Sequence, residues 1–482
     1  MINRRSIVSG GLASVLTTFS NKSVRSHRKK YDVLVIGAGL SGLNSALLLE
    51  ESGLNVKVIE GRGRVGGRVY TLMNIPGKPE AAGELIGGNY ARMIDRAQSL
   101  DLNLVLPKSL GPNREWVYRI KDTNILSSDW PSHVLNPLSG DDRNILPHQL
   151  LFSLSHRNNP LSGKALDDWI SPEFQKYDIP HSQYLKNYLG LNQDTINLMN
   201  VVIHTDHINN TSAIHELRRY AVAEFNKSAT LANSDKPSSM QINGGNSLLP
   251  ISMAESLYNK VDLNKTVYSF EDRGASVYVH CTDGSFFEAS QVVCSIPYPV
   301  LKRVKFTPRL PIKLYDAIHE IDYGISIQVH FLVKSEFWLR DGLPQSIWTD
   351  GPVERFAVLN RGDNNEVSSA IAFINGNEAY KYDFMNDKEV AQYTLQELIK
   401  IRPTIKDSLE PILVQSCHRE FHGGGDWVFW RPGQVKKYAS NMRKKHGNIH
   451  FCGEHTALLE RGMEGAFESG ERVAFDVLEA MG

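Results

Sequence analysis

The stretch from Tyr31 to Gly61, YDVLVIGAGLSGLNSALLLEESGLNVKVIEG, restricts the possible folds of this chain more than any other. Asp32 to Ile36 is a short apolar, β-branched run, the composition of a strand covered on both faces. Gly37, Gly39 and Gly42 follow at once, and from Leu40 the apolar residues Leu43, Ala46, Leu47 and Leu49 recur at roughly helical spacing. Val56 to Ile59 reads as a second strand, closed by Glu60. Strand, glycines, helix, strand and acid in this order predict a dinucleotide-binding unit. Gly37 permits the tight turn, Gly39 lets the backbone approach a pyrophosphate, and Gly42 allows the helix to pack close to the strand. Amide groups at the helix start then face the phosphates. Glu60 is placed to accept hydrogen bonds from a ribose diol, where a phosphorylated ribose would favour a basic residue.

At 482 residues the chain has material for two or three domains and a large core. Lysine plus arginine equals aspartate plus glutamate, 53 each, which gives no general reason to expect a nucleic-acid partner. Four cysteines, Cys281, Cys294, Cys417 and Cys452, are scattered without C-x-x-C spacing, so neither a metal site nor a disulfide framework is expected. The N-terminus, NRRSIVSGGLASVLTTFS, places the Arg4-Arg5 pair before a short, mildly apolar stretch and reads as a twin-arginine export signal. The competing reading is a disordered basic leader, since no A-x-A cleavage pattern follows. No run reaches the eighteen apolar residues of a membrane-spanning helix, so stable membrane insertion is not expected. The expected location is periplasmic or secreted, or cytoplasmic if the leader is not a signal.

Directly after Glu60 comes GRGRVGGRVYT, with a second glycine pair and the basic residues Arg62, Arg64 and Arg68. A nicotinamide dinucleotide site does not need this element. The run R-x-G-G-R-x-x-T behind an acid-capped strand resembles the flavin-containing amine oxidase family, monoamine oxidases among them. The resemblance recurs in EAAGELIGGNY, INGGNSLLP, VDLNKTVYSF, VVCSIPYPVL and the C-terminal NIHFCGEHTALLERGMEGAFESGERVAFDVL. It implies an α/β fold: an FAD-binding Rossmann-type domain, like that of glutathione reductase, interleaved with an α+β substrate-binding domain. The FAD domain would be built from 31–105, 236–305 and 405–482, the substrate domain from 106–235 and 306–404, after an export signal and basic linker at 1–30. The resemblance places FAD against Arg62, Arg64, Gly67 and Arg68, under Gly83, Glu84, Leu85 and Ile86, and beside Val267 at the adenine. Gly453 and Glu454 would lie by the ribityl chain, and Met463 and Glu464 would open a helix aimed at the pyrimidine end of the flavin.

At the reacting face the resemblance yields four residues. In FHGGGDWVFWRPGQV, Asp426 stands where monoamine oxidases carry the cysteine bonded to the flavin, so FAD is expected to bind noncovalently. Trp427 is expected as one wall of the cage that orients an amine. Gly462 stands where a second cage wall, a tyrosine, is found in those enzymes, which implies a half-open cage. Gln328 occupies the position of a lysine linked to the reaction with oxygen, with Lys334 six residues away. A neutral amide there puts the speed of oxygen use, and the oxidase label, in question.

These residues imply an FAD-dependent amine oxidase or amine dehydrogenase. Hydride passes from the amine α-carbon to flavin and the imine hydrolyses. The electron acceptor is oxygen, forming hydrogen peroxide, or a redox protein. A small-molecule amine is the expected substrate and a homodimer the expected assembly. An α-amino acid is disfavoured, because no arginine closely follows Glu84 to Ile86, although one could enter from the substrate domain. Two other readings stand beside this one: a flavin-dependent desaturase or porphyrinogen-type oxidase acting on a C–C bond, and a flavin-binding scaffold without turnover.

Overall fold

The structure, a computed structural model, describes residues 30–106, 115–201, 203, 205–231, 239–360 and 367–482. The expected export signal therefore lies outside the described residues. Strand Lys30–Ile36, buried from Val33 onward, runs between Val56–Ile59 and Phe286–Cys294 and parallel to both. Val292 to Cys294 pair in parallel with Ile449–Phe451 on the other edge. The antiparallel strands Val267–Asp272 and Val277–Cys281 and the short Lys305–Thr307 extend this seven-stranded sheet. A run of β-branched residues with no polar alternation forms such a strand because both of its faces are covered.

Helix Leu40–Glu51 covers one face, and the last helix, Gly462–Met481, packs against it. The approach is close: a Cβ on Gly470 would lie 2.5 Å from the Ser41 carbonyl oxygen. Asn44 fixes the pair by donating to the Phe467 carbonyl, 3.2 Å away.

A second seven-stranded sheet orders Leu409–Ser416, Ser326–Val333, Val367–Asn375, Arg355–Asn360, Ser346–Thr349, Trp116–Ile120 and Thr123–Leu126. All of its pairings are antiparallel except Ser346–Thr349 with Trp116–Ile120. Helices between 150 and 231 pack into the same core as the first strands of this sheet's far end, which joins the two halves into one body. One expectation is corrected here. Residues 409–416, expected in the third cofactor segment, form the edge of the second sheet by pairing with Ser326–Val333. Among the described residues no helix is long and apolar enough to cross a membrane.

Candidate active site

A cavity of about 590 Å³ runs from the first glycine turn to the face of the second sheet. At the turn the three glycines have separate reasons to be there. Gly37 has φ +102°, and a Cβ on it would sit 2.3 Å from the Ser295 hydroxyl. That hydroxyl donates to the Ile36 carbonyl at 2.7 Å. A Cβ on Gly42 would lie 2.0 Å from the Gly37 carbonyl oxygen, so helix and strand approach only without one. A Cβ on Gly39 would meet nothing within 4 Å, because there the backbone faces the open cavity. No side chain caps helix Leu40–Glu51 and its first turn holds no acid, which leaves its amides to a phosphate.

Glu60 is 4% exposed and holds the turn together. Its Oε2 accepts from the Ala38 amide at 2.8 Å and its Oε1 from the Arg62 amide at 2.8 Å. The Arg62 guanidinium is paired with Glu420 and lies 3.7 Å from Glu60. Val267 lines the same end together with Lys265 and Thr266. His422, which the sequence reading missed, closes it: its Nε2 is 3.0 Å from the Thr266 hydroxyl. The glycine-rich loop after Glu420 is what carries His422 back over the turn, where a Cβ on Gly61 would lie 2.7 Å from the ring.

Three of the expected cofactor contacts, Arg64, Ile86 and Glu464, do not line the cavity. Arg64 does not line the cavity; its Nη1 donates to the carbonyls of Val65 and Gly67 at 3.1 and 3.0 Å, and its guanidinium lies 3.9 Å from the Tyr70 ring centre. Burial, reinforced by Arg62, pushes its pKa below the ordinary arginine value, and it braces the loop instead of meeting phosphate. Arg68 lines the cavity, but its charge is balanced: Nη1 donates to Glu454 at 3.0 Å and also to the Asp426 carbonyl. Ile86 is fully buried and paired with Met240, as its side chain favours, while Gly83, Glu84 and Leu85 reach the wall. Glu464 is 1% exposed and caps a different helix, accepting from the Arg92 and Met93 amides at 3.0 and 3.1 Å at the start of Ala91–Ser99. Burial nevertheless pushes its carboxyl above the ordinary range. Gly67, Met463, Gly453 and Glu454 do line the cavity, and Glu454 also accepts from the Val428 amide at 2.8 Å.

Gln328, Trp427 and Gly462, brought from three distant segments, meet on the wall of the cavity's other half. The Gln328 side-chain oxygen is buried and accepts no hydrogen bond from the described residues, so it offers a directed acceptor to whatever fills the cavity. Lys334 lies outside, beside Glu410 at 3.7 Å. Trp427 is held in place through its backbone, its carbonyl accepting from the Gly324 amide at 2.8 Å. A Cβ at Gly462 would meet nothing within 4 Å, so this wall is open. Asp426 lines the cavity with its carboxyl beside the Cys417 thiol and the Ser326 hydroxyl, and burial pushes that carboxyl above the ordinary range.

The sequence reading missed Arg355, Phe373 and Asn375 from the second sheet and Tyr90 and Arg219 from elsewhere, all of which line this half. The signal available was strand periodicity. Phe373 and Asn375 are two apart on one strand, and Gln328 and Arg355 each pair with Phe373, so these side chains share a face. The uncapped helix start, the open backbone at Gly39, the cavity-lining Glu60 and the unengaged Gln328 acceptor together fit a dinucleotide with a reactive ring at its far end.

Residues 40–478 match the family described as flavin containing amine oxidoreductase. Among curated proteins, the chain is 26% identical over 467 residues to the flavin-containing amine oxidase B of Bos taurus, covering 94% of this chain and 87% of the relative. It is 25% identical over 465 residues to the flavin-containing amine oxidase of Danio rerio, covering 94% and 86%. Among solved structures, wild-type putrescine oxidase bound to putrescine superposes with a TM-score of 0.76 at 23% identity, covering 94% of this chain and 100% of that one. Cyclohexylamine oxidase from Brevibacterium oxydans IH-35A gives 0.75 at 20%, covering 94% and 100%.

Proposed function

The chain belongs to the flavin containing amine oxidoreductase family and is an FAD-dependent amine oxidoreductase; on that premise we propose that it oxidises unprotonated amines on noncovalently held FAD, with oxygen as a slow acceptor. Bound FAD supplies the hydride acceptor. The chain's own residues position the other partner. The Trp427 ring gives the amine end a face to lie against, and the Gln328 oxygen can accept from the amine N–H or from a water. Apolar groups such as Leu85, Ile296 and Phe373 keep bulk water from the reacting carbon. A neutral amine that loses hydride leaves a protonated imine, which water hydrolyses to a carbonyl compound and an ammonium ion, and no protein base is required. The observation that carries the reading is Gln328, an unengaged and uncharged acceptor on the same wall as Trp427.

The test is anaerobic mixing of holoenzyme with a panel of amines, followed by oxygen or a quinone-like dye. Bleaching of the oxidised flavin band by at least one amine, with faster recovery by the dye, is the expected result. Intact flavin absorbance with no amine bleaching it would sink the reading. Acid precipitation should release intact FAD, because Asp426 cannot form the thioether; flavin left on the denatured chain would refute noncovalent binding. We also propose export in folded form through the Arg4-Arg5 pair. Replacing both arginines by lysine should retain the protein in the cytoplasm, and a wild-type chain that already stays there would overturn it.

A further inference from the structure

The half of the cavity away from the nucleotide carries a built anion-recognition feature. Strand Ser326–Val333 pairs Gln328 with Phe373, and strand Arg355–Asn360 pairs Arg355 with the same Phe373, so the three side chains form one row across adjacent strands. All three line the cavity. With neighbouring strands roughly 4.8 Å apart, the Cα atoms of Gln328 and Arg355 are about 10 Å apart. The Arg355 guanidinium carbon lies 4.9 Å from the Phe373 ring centre. Its Nε is 3.0 Å from Glu354 Oε1, an ion pair, and Glu354 also accepts from the Asn375 side-chain amide. Glu354 is buried behind Arg355, outside the cavity lining, and burial pushes its carboxyl above the ordinary range.

The other charges of this half do not oppose an anion. Arg219 also lines it, 3.4 Å from a Glu216 that does not. Asp426 lines it, but with its carboxyl held toward Cys417 and Ser326 and raised by burial. Glu84 and Glu454 also line the cavity, Glu454 with its charge matched by Arg68 at 3.0 Å, while Glu60 lies at the nucleotide end. A ligand with its amino carbon at Gln328 and Trp427 and its chain along Phe373 would therefore meet a planar, two-pronged cation at its other end. A carboxylate matches that group, and a second ammonium is repelled by it.

Resting on the amine oxidoreductase reading, we propose that Arg355 is a specificity-determining residue that selects amines bearing a carboxylate several bonds from the amino group and rejects diamines. The probes are 6-aminohexanoate, hexylamine and 1,6-diaminohexane, whose six-carbon chains span about 7 Å, and hexanoate as an unreactive ligand. Anaerobic flavin reduction by holoenzyme should show an apparent dissociation constant about tenfold to a hundredfold lower for 6-aminohexanoate than for hexylamine, with the diamine weakest. Hexanoate should perturb the flavin spectrum. Arg355→Met should bring the three amines together, Arg355→Glu should invert the order in favour of the diamine, and Arg355→Lys should restore part of the preference. A role confined to bracing Glu354 would change stability without changing these ratios. Wild-type preference for hexylamine, a preference that survives Arg355→Met, or an optimum at the α-amino acid would overturn the proposal. If no amine reduces the flavin but hexanoate still binds through Arg355, the anion site stands and the amine chemistry fails; a spectrum blind to hexanoate overturns the anion site itself.

Discussion

Glu60 offers the sharpest test of how the nucleotide end is held. Its two carboxylate oxygens each accept from a backbone amide at 2.8 Å, Ala38 in the glycine turn and Arg62 in the following loop, at a site 4% exposed. A hydrogen bond from an amide to a buried carboxylate contributes about 1.5 to 3 kcal/mol. Glu60→Gln keeps the shape and one acceptor but turns an amide N–H toward the other backbone N–H. It should cost roughly 2 kcal/mol, equal to about a thirtyfold weaker FAD dissociation constant. Glu60→Ala removes both bonds, an upper bound of about 3 to 6 kcal/mol shared between turn stability and FAD affinity. Titration of FAD into apoprotein, followed by flavin fluorescence, reads the affinity. Hydrogen exchange of peptides spanning 37–62 reads the turn, where the Ala38 and Arg62 amides should lose protection. Unchanged affinity and unchanged exchange in both variants would refute the assignment of Glu60 as the pin of this turn.

Gln328→Lys brings a cation to a site where oxygen must take up electrons, so the oxygen step should speed while amine-driven bleaching changes much less. Wild-type recovery in oxygen as fast as the bleaching would defeat that argument. Asp426 has its folded-state pKa raised by burial, so the folded protein binds the proton more tightly than the unfolded chain, and stability is lost as pH rises from the ordinary carboxylate value through the folded one. Asp426→Asn should therefore gain on wild type as pH climbs from 4 to 8 in thermal unfolding; a pH-independent difference would contradict this. Burial lowers His148, His181 and His450 to about 4 and His455 to about 3. Each takes up a proton on unfolding below the ordinary histidine value. Stability should therefore fall on acidification from about pH 6.5 toward 4, by up to about 1.4 kcal/mol per pH unit per group. Urea midpoints that stay flat across this range would show that these rings charge without unfolding.

The nucleotide turn was legible because each of its constraints acts on backbone within thirty residues. A positive φ at Gly37, a missing Cβ at Gly42 and an acid at the tip of the second strand all leave a mark in the order of residue types. Glu464 was misread for the opposite reason. An acid beside a glycine at a helix start looks like a charge for that helix, but its acceptors serve the amides of Arg92 and Met93, which sequence order does not connect to it. Arg64 looked like a phosphate ligand because its charge is visible in sequence, whereas the inward-turned carbonyls of Val65 and Gly67 are not. Arg355 and Phe373 were missed because their shared face depends on the register between strands, which nothing local in the chain specifies. The same long-range pairing moved 409–416 to the second sheet.

The packing of the last helix on the first has a consequence for how the molecule is made. Leu40–Glu51 leaves the ribosome roughly 400 residues before its partner Gly462–Met481 and the sheet strand Ile449–Phe451. Until then the nascent chain carries apolar faces whose covers do not yet exist, the condition that exposes folding intermediates to aggregation. A stop codon before Ile449 removes the helix that buries Leu43 and Leu47 together with the wall formed by Gly453, Glu454 and Met463. A chain cut short there has no cofactor-competent core, and capture of the dinucleotide reports that synthesis has passed this helix.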